Sequence, residues 1–164
     1  MMRIWQALAL VLVSFGALTN AAIGAESGPS RMLTITKITD GDSLRAGDIR
    51  IRIHGIDAPE MRQICYRPDA YKCGVAARDY LASALGDGAV LRCEHLDIDR
   101  YQRLVMRCYH RGVDIGGGMV RAGWALAYRR YAKDYITDEA EARAAKRGLW
   151  AGTFQTPEAW RKNN

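Results

Sequence analysis

The stretch Ile49-Arg50-Ile51-Arg52-Ile53-His54, followed by Gly55-Ile56-Asp57-Ala58-Pro59-Glu60, decides the fold. Isoleucine alternates with a cationic side chain, and a period of two gives a strand with one buried and one polar face. Pro59 cannot donate to a ladder, so the strand passes there into a loop. Two further strands are expected upstream, Leu33 to Thr39 and Ser43 to Arg45, joined by Asp40-Gly41-Asp42, in which Asp-Gly is a hairpin signal. Downstream the period changes. Cys73 to Leu85 carries Ala77, Tyr80, Leu81, Ala84 and Leu85 at helical spacing, with Gly86 as a stop. Val90 to Leu96 and Leu104 to Tyr109 return to strand, joined by a polar stretch. Asp114 to Ala122 is expected as a short helix despite Gly116-Gly117-Gly118. Asp138 to Arg147 is expected as a helix supported by Glu139 four residues before Arg143 and closed by Gly148. This order gives an α+β domain, compatible with a five-stranded Greek-key barrel of the OB type with about three helices.

Upstream of the strands, Met1-Met2-Arg3 leads into an apolar run from Ile4 to Leu18 and then small residues from Ala21 to Ala25. That is the pattern of a secretory signal peptide over residues 1–25, and the run falls short of the ~20 residues that cross a bilayer. A retained membrane-surface anchor is the alternative. The remaining residues 26–164 suffice for one domain with a core and not for two. The chain carries 24 Lys plus Arg against 18 Asp plus Glu, a net charge of +6, of which only Arg3 belongs to the leader. A basic exported protein suits a polyanionic partner, nucleic acid or an anionic membrane surface.

Four cysteines in a chain leaving the cytosol point to two disulfides. Local geometry favours Cys65 with Cys73 and Cys93 with Cys108. The second pair lies symmetrically about Arg100/Tyr101, so a hairpin turning there sets its cysteines opposite each other, with Glu94 across from Arg107 and Leu96 across from Val105. No Cys-x-x-Cys spacing supports zinc, and His54, His95 and His110 share no metal-binding spacing.

Taken singly, Asp40 and Asp42 are turn residues and Asp57 and Glu60 are loop residues. Together they end the first and third strand segments, which could be sheet neighbours. Carboxylates gathered in one place repel unless a cation holds them, and an all-oxygen set suits calcium or magnesium. Arg52, on the polar face of the third strand, and Arg103, after the hairpin loop, would add planar donors for the charge that builds on a phosphodiester under attack. Glu60 could position or deprotonate water.

Asp40-Gly41-Asp42-Ser43, Arg52-x4-Asp57-Ala58-Pro59-Glu60, Asp99-Arg100-Tyr101-x-Arg103 and Ala144-Ala145-Lys146-Arg147-Gly148-Leu149-Trp150 follow one another in this order. Over residues 33–152 the chain thereby resembles the staphylococcal nuclease (thermonuclease) family. The resemblance implies a calcium-dependent endonuclease acting on single-stranded or unwound DNA and on RNA, leaving 3′-phosphate ends. It implies Asp42, Asp57 and the backbone carbonyl of Ala58 as calcium ligands with Asp40 nearby, Arg52 and Arg103 on the scissile phosphate, and Glu60 as base or water-ordering group. Tyr101, and Tyr128 or Tyr131, would lie near the nucleotide. The expected protein is a secreted or periplasmic monomer with no obligate protein partner. Three departures stand out: Ala58 in place of the usual Thr, Gln102 in place of a common Gly before Arg103, and the glycines 116–118. The rival reading is a non-catalytic OB-type module that holds single strands on its basic surface through Tyr101.

Overall fold

The computed structural model describes residues 29–164. The expected signal peptide, residues 1–25, lies outside them. Among the described residues no helix is long and apolar enough to cross a membrane.

The main sheet has seven strands. Its hydrogen-bonded path runs β1 (Ser30–Thr34), β8 (Val90–Ile98), β9 (Leu104–His110), β4 (Ile49–Ile53), β3 (Ser43–Ala46) and β2 (Lys37–Ile38), with β10 (Val113–Asp114) also paired to β9. Two small sheets stand beside it: β5 (Ile56–Asp57) with β11 (Leu126–Ala127), and β6 (Ile64–Arg67) with β7 (Asp69–Lys72). Four α-helices complete the described chain: α1 (Cys73–Leu85), α2 (Ile115–Arg121), α3 (Ile136–Ala144) and α4 (Pro157–Asn163). The α+β class follows as expected, but with four helices rather than three, and with sheet edges at β1 and β2 rather than a closed barrel.

The alternation over β4 does what period two requires: Ile51 and Ile53 are buried, Arg50 is exposed, and Arg52 lies between. Ile51 and Ile53 join Leu44, Leu91, Met106 and Leu81 in one core. Helix α1 spans the expected residues and buries Cys73, Ala77, Leu81 and Leu85, one every fourth residue. Tyr80 and Ala84, expected on that stripe, face outward instead because they fall a quarter-turn off it. Helix α3 begins two residues earlier than its charge pattern suggests. Glu139 does not support Arg143. It is buried, accepting from the Ala127 amide at 3.1 Å and from Arg129 at 2.5 Å.

Both expected disulfides form. Cys93 stands opposite Cys108 and Glu94 opposite Arg107, but the register slips beyond His95 so that Asp97, not Leu96, faces Val105. Leu96 is the extra residue of a β-bulge, which increases local twist. The hairpin loop then closes on Gln102 with φ 59°, the left-handed conformation that Gly tolerates most easily. Gly116 and Gly117 pack beneath Tyr135, whose hydroxyl donates to Asp114 at 2.9 Å. That same carboxylate caps α2.

Gly74 and Gly152 are fixed by close approach alone, without a left-handed φ. A Cβ on Gly74, in the first turn of α1, would lie 2.0 Å from the carbonyl oxygen of Glu60. Gly74→Ala therefore forces backbone apart from backbone. Urea unfolding is expected to show a loss of about 1–3 kcal/mol, and an unchanged midpoint would mean the two segments are not in contact.

Candidate active site

Four features of the chain path bring the charged residues together. The β2–β3 hairpin carries Asp40 and Asp42 on its loop, and antiparallel pairing of β3 with β4 sets Ser43 opposite Arg52. The parallel pairing of β4 with β9 sets Leu104 opposite Ile51, so Arg103 emerges beside the same pair of strands. After β4 the chain turns through Gly55 into β5, where Asp57 pairs with Leu126. The first and third strand segments are not direct neighbours, as the sequence suggested. The second strand lies between them, and the hairpin loop rather than the strand carries Asp42 to the site.

Asp42 is the hub. It is 7% exposed, and each carboxylate oxygen is engaged. Oδ1 accepts from the Ser43 hydroxyl at 3.1 Å and forms an ion pair with Arg52, while Oδ2 accepts from the Ala58 amide at 2.8 Å. Arg52 also donates to the Ile56 carbonyl at 2.9 Å and lies 3.6 Å from Asp57. Burial alone would make this guanidinium easier to deprotonate, but the charges of Asp42 and Asp57 override it and hold the cation more firmly. Arg103 reaches the same centre from the other side, donating Nη1–H to Ser43 Oγ at 3.1 Å. A chain of polar contacts, Arg103 to Ser43 to Asp42 to Arg52, thus places two guanidinium groups about one buried carboxylate.

The remaining carboxylates are held differently. Asp40 accepts from the Asp42 amide at 3.0 Å, and its carboxyl is pushed up to about 6 by burial and by the charge of Asp42. Burial also raises Asp57, against the pull of Arg161. That arginine, on α4, grips both Asp57 oxygens at 2.9 and 3.0 Å and Glu60 at 2.9 Å. Asp57 and Glu60 are thus adjacent, as expected, through a residue the sequence reading did not single out. Among the described residues no three His, Cys, Asp or Glu side chains already converge as a metal-binding group. The donor set is nonetheless all oxygen, and its buried carboxylates repel one another, which is the chemistry a hard cation satisfies.

The tyrosines flank this centre. Tyr101 is exposed, with the guanidinium carbon of Arg103 5.5 Å from its ring centroid. Tyr128 packs edge-on against Tyr131 at 4.8 Å, and its hydroxyl is made harder to ionise by burial and by the charge of Asp57. Tyr128 and Asp57 both line a cavity of about 660 Å³ whose charged lining is mixed, Arg129, Arg130 and Arg143 against Asp57, Glu139 and Glu158.

Residues 50–152 match the family described as Staphylococcal nuclease homologue. The chain belongs to the staphylococcal nuclease family. Among family relatives, a protein of Escherichia coli O157:H7 described as an uncharacterized endonuclease is 32% identical over 130 residues, covering 75% of this chain and 79% of that one. An uncharacterized endonuclease of Haemophilus influenzae is 29% identical over 160 residues, covering 93% and 85% respectively. A probable staphylococcal-like nuclease of Oryza sativa subsp. japonica is 34% identical over 125 residues, covering 74% of this chain and 32% of that one. In this staphylococcal nuclease homologue the matched segment holds Arg52, Asp57, Ala58, Glu60, Tyr101, Arg103 and Tyr128; Asp40, Asp42 and Arg161 lie outside it.

Besides Arg161, three supporting residues received no role in the sequence reading, although Ser43 and Asp99 stand in its motifs. Ser43 links Arg103 to Asp42. Gln63, fully buried, accepts from the Glu60 amide at 3.2 Å and donates to the Gln155 carbonyl at 2.7 Å, tying the Glu60 loop to the chain before α4. Asp99 accepts from the amides of Tyr101 and Arg103 at 2.9 and 3.0 Å and from Arg103 Nε at 2.7 Å. These contacts hold the Asp99 carboxyl below its usual range despite partial burial. Asp99→Ala removes every one of these acceptors. It is expected to cost about 1–2 kcal/mol and to raise hydrogen exchange at the Tyr101 and Arg103 amides, whereas retained protection would show that the loop closes without Asp99.

Proposed function

We propose that this protein is a calcium-dependent endonuclease that hydrolyses single-stranded or unwound DNA and RNA, breaking the bond from phosphorus to the 5′ oxygen and leaving 3′-phosphate ends. The observation that carries the reading is the placement of Arg52 and Arg103 about the buried Asp42 through Ser43. Family membership and relatives described as endonucleases support the reaction class.

In this reading Asp42, Asp57 and the Ala58 carbonyl hold the cation, with Asp40 behind them. A bound calcium ion would polarise the phosphate and lower the pKa of a nearby water. Arg52 and Arg103 donate to the equatorial oxygens, where their charge is worth most as the pentacoordinate transition state forms. Their bonds to Asp42, Ser43 and Asp99 fix their orientation beforehand, so little reorganisation is needed on substrate arrival. Glu60 accepts the proton of the attacking water or orders that water. Tyr101 beside Arg103 and Tyr128 beside Asp57 flank the scissile linkage, and the net positive charge of the chain favours a polyanionic substrate. Two disulfides suit a protein that works outside the cytosol, secreted or periplasmic, after loss of residues 1–25.

The test is cleavage of a denatured DNA and of an RNA by the purified protein with calcium, with magnesium and with chelator. Calcium-dependent cutting is expected, falling by at least about a hundredfold in Arg52→Ala, Arg103→Ala and Glu60→Gln, because each removes a group used chiefly in the transition state. Equal turnover in all three variants would sink the assignment of roles. Binding without cutting under every condition would leave a strand-holding module.

A further inference from the structure

Helix α4 is a short element carrying one buried residue, Pro157, and its far end lies over the candidate site. It starts firmly. Thr156 Oγ1 accepts from the Ala159 amide at 3.2 Å, the Gln155 carbonyl accepts from buried Gln63, and Thr153 pairs with Tyr66 of β6 through two backbone hydrogen bonds of 3.0 Å. Beyond Pro157 every residue is exposed or partly exposed. Seven residues are too few for a helix to hold itself in water, so an external contact must keep this one seated.

Arg161 supplies the polar contacts that reach the candidate site. Its two Nη atoms take one Asp57 oxygen each, and Nη1 also takes Glu60. The Asp57 side chain is 5% exposed and that of Arg161 36%, so the guanidinium covers the solvent-facing edge of the carboxylate. A bidentate guanidinium occupies the donors a cation would use and adds a positive charge where a dication must sit.

Resting on the metal reading above, we propose that α4 is an autoinhibitory strap, in which Arg161 holds Asp57 and Glu60 until a divalent cation displaces it. The segment before Pro157 stays pinned by Gln63 and β6, so the strap swings about residues 155–157 while the fold is undisturbed. Displacement frees Glu60 from its cationic partner at the moment the cation arrives, which couples metal loading to readiness of the base.

Calcium titration of the metal-free full chain by calorimetry tests this, comparing the wild type with Arg161→Gln and Arg161→Lys. Removing the cationic competitor for Asp57 and Glu60 is expected to tighten binding about tenfold or more in Arg161→Gln, with Arg161→Lys between the two because it keeps the charge and loses the fork. Trypsin cleavage after Arg161 and Lys162, followed by intact mass, is expected to quicken in the wild type when calcium is added. Equal or weaker binding in Arg161→Gln, or wild-type α4 equally protected with and without bound calcium, would overturn the strap alone. If neither protein binds calcium, the metal reading itself falls, and the strap with it.

Discussion

A carboxylate and a guanidinium buried side by side, Asp42 and Arg52, set the terms for everything around them. Their side chains are 10% and 13% exposed, and each offsets the cost of burying the other's charge. Leaving one of them unpartnered would cost about 3–5 kcal/mol, a large share of the stability of a domain this size. Opposite positions on β3 and β4, one residue removed, make the pair possible, and both strands are anchored in the core by Leu44, Ile51 and Ile53. The site is therefore a consequence of strand register. A slip of one residue would turn Arg52 into the core and the isoleucines to solvent.

Around that pair the chain is braced at several independent points. Gly74 lets α1 touch the Glu60 carbonyl, Gln63 bonds the same loop from beneath, and the disulfide from Cys65 to Cys73 ties the β6–β7 hairpin to the first residue of α1. Cys65, Cys73 and Leu149 form a small second core beside the main one, with Phe154 packed against it. The segment leading to α4 is thus joined to the loop that carries Asp57 and Glu60. Asp99 performs the corresponding service for Arg103 on the opposite side. Two loops with different anchors converge on one carboxylate, which is how a site built on turns can be rigid.

What the sequence made legible follows the range of each signal. Period two in Ile49 to Ile53, the helical spacing of Ala77, Leu81 and Leu85, and the symmetry of Cys93 and Cys108 about a turn are all local patterns, and the structure bears them out, while Tyr80 and Ala84, expected on the same helical stripe, lie outside it. The bulge at Leu96 was not visible because alternation looks the same on either side of one extra residue. Gln63 lies in no motif, and Ser43, though it closes the Asp40-Gly41-Asp42-Ser43 motif, carries no local sign of its role; both roles are created by partners 92 and 60 residues away. Helix α4 had one local cue, Thr156 before Pro157, a capping residue followed by a proline at the first helical position. Its seven residues gave too short a window for a periodic signal, and the contact of Arg161 with Asp57 spans 104 residues. The closed five-stranded barrel assumed pairing between the sheet edges, which short β2 and the β1–β8 ladder do not supply.

The central claim is that the buried carboxylates about Asp42 and Asp57 form a cation site. Diffraction from crystals grown with millimolar calcium, recorded at a wavelength where calcium scatters anomalously, tests it directly. The account predicts a single anomalous peak bounded by Asp42, Asp57 and the Ala58 carbonyl, with Arg161 turned away. Crystals without a peak there, with Arg161 still gripping Asp57 and Glu60 in the presence of calcium, would contradict it.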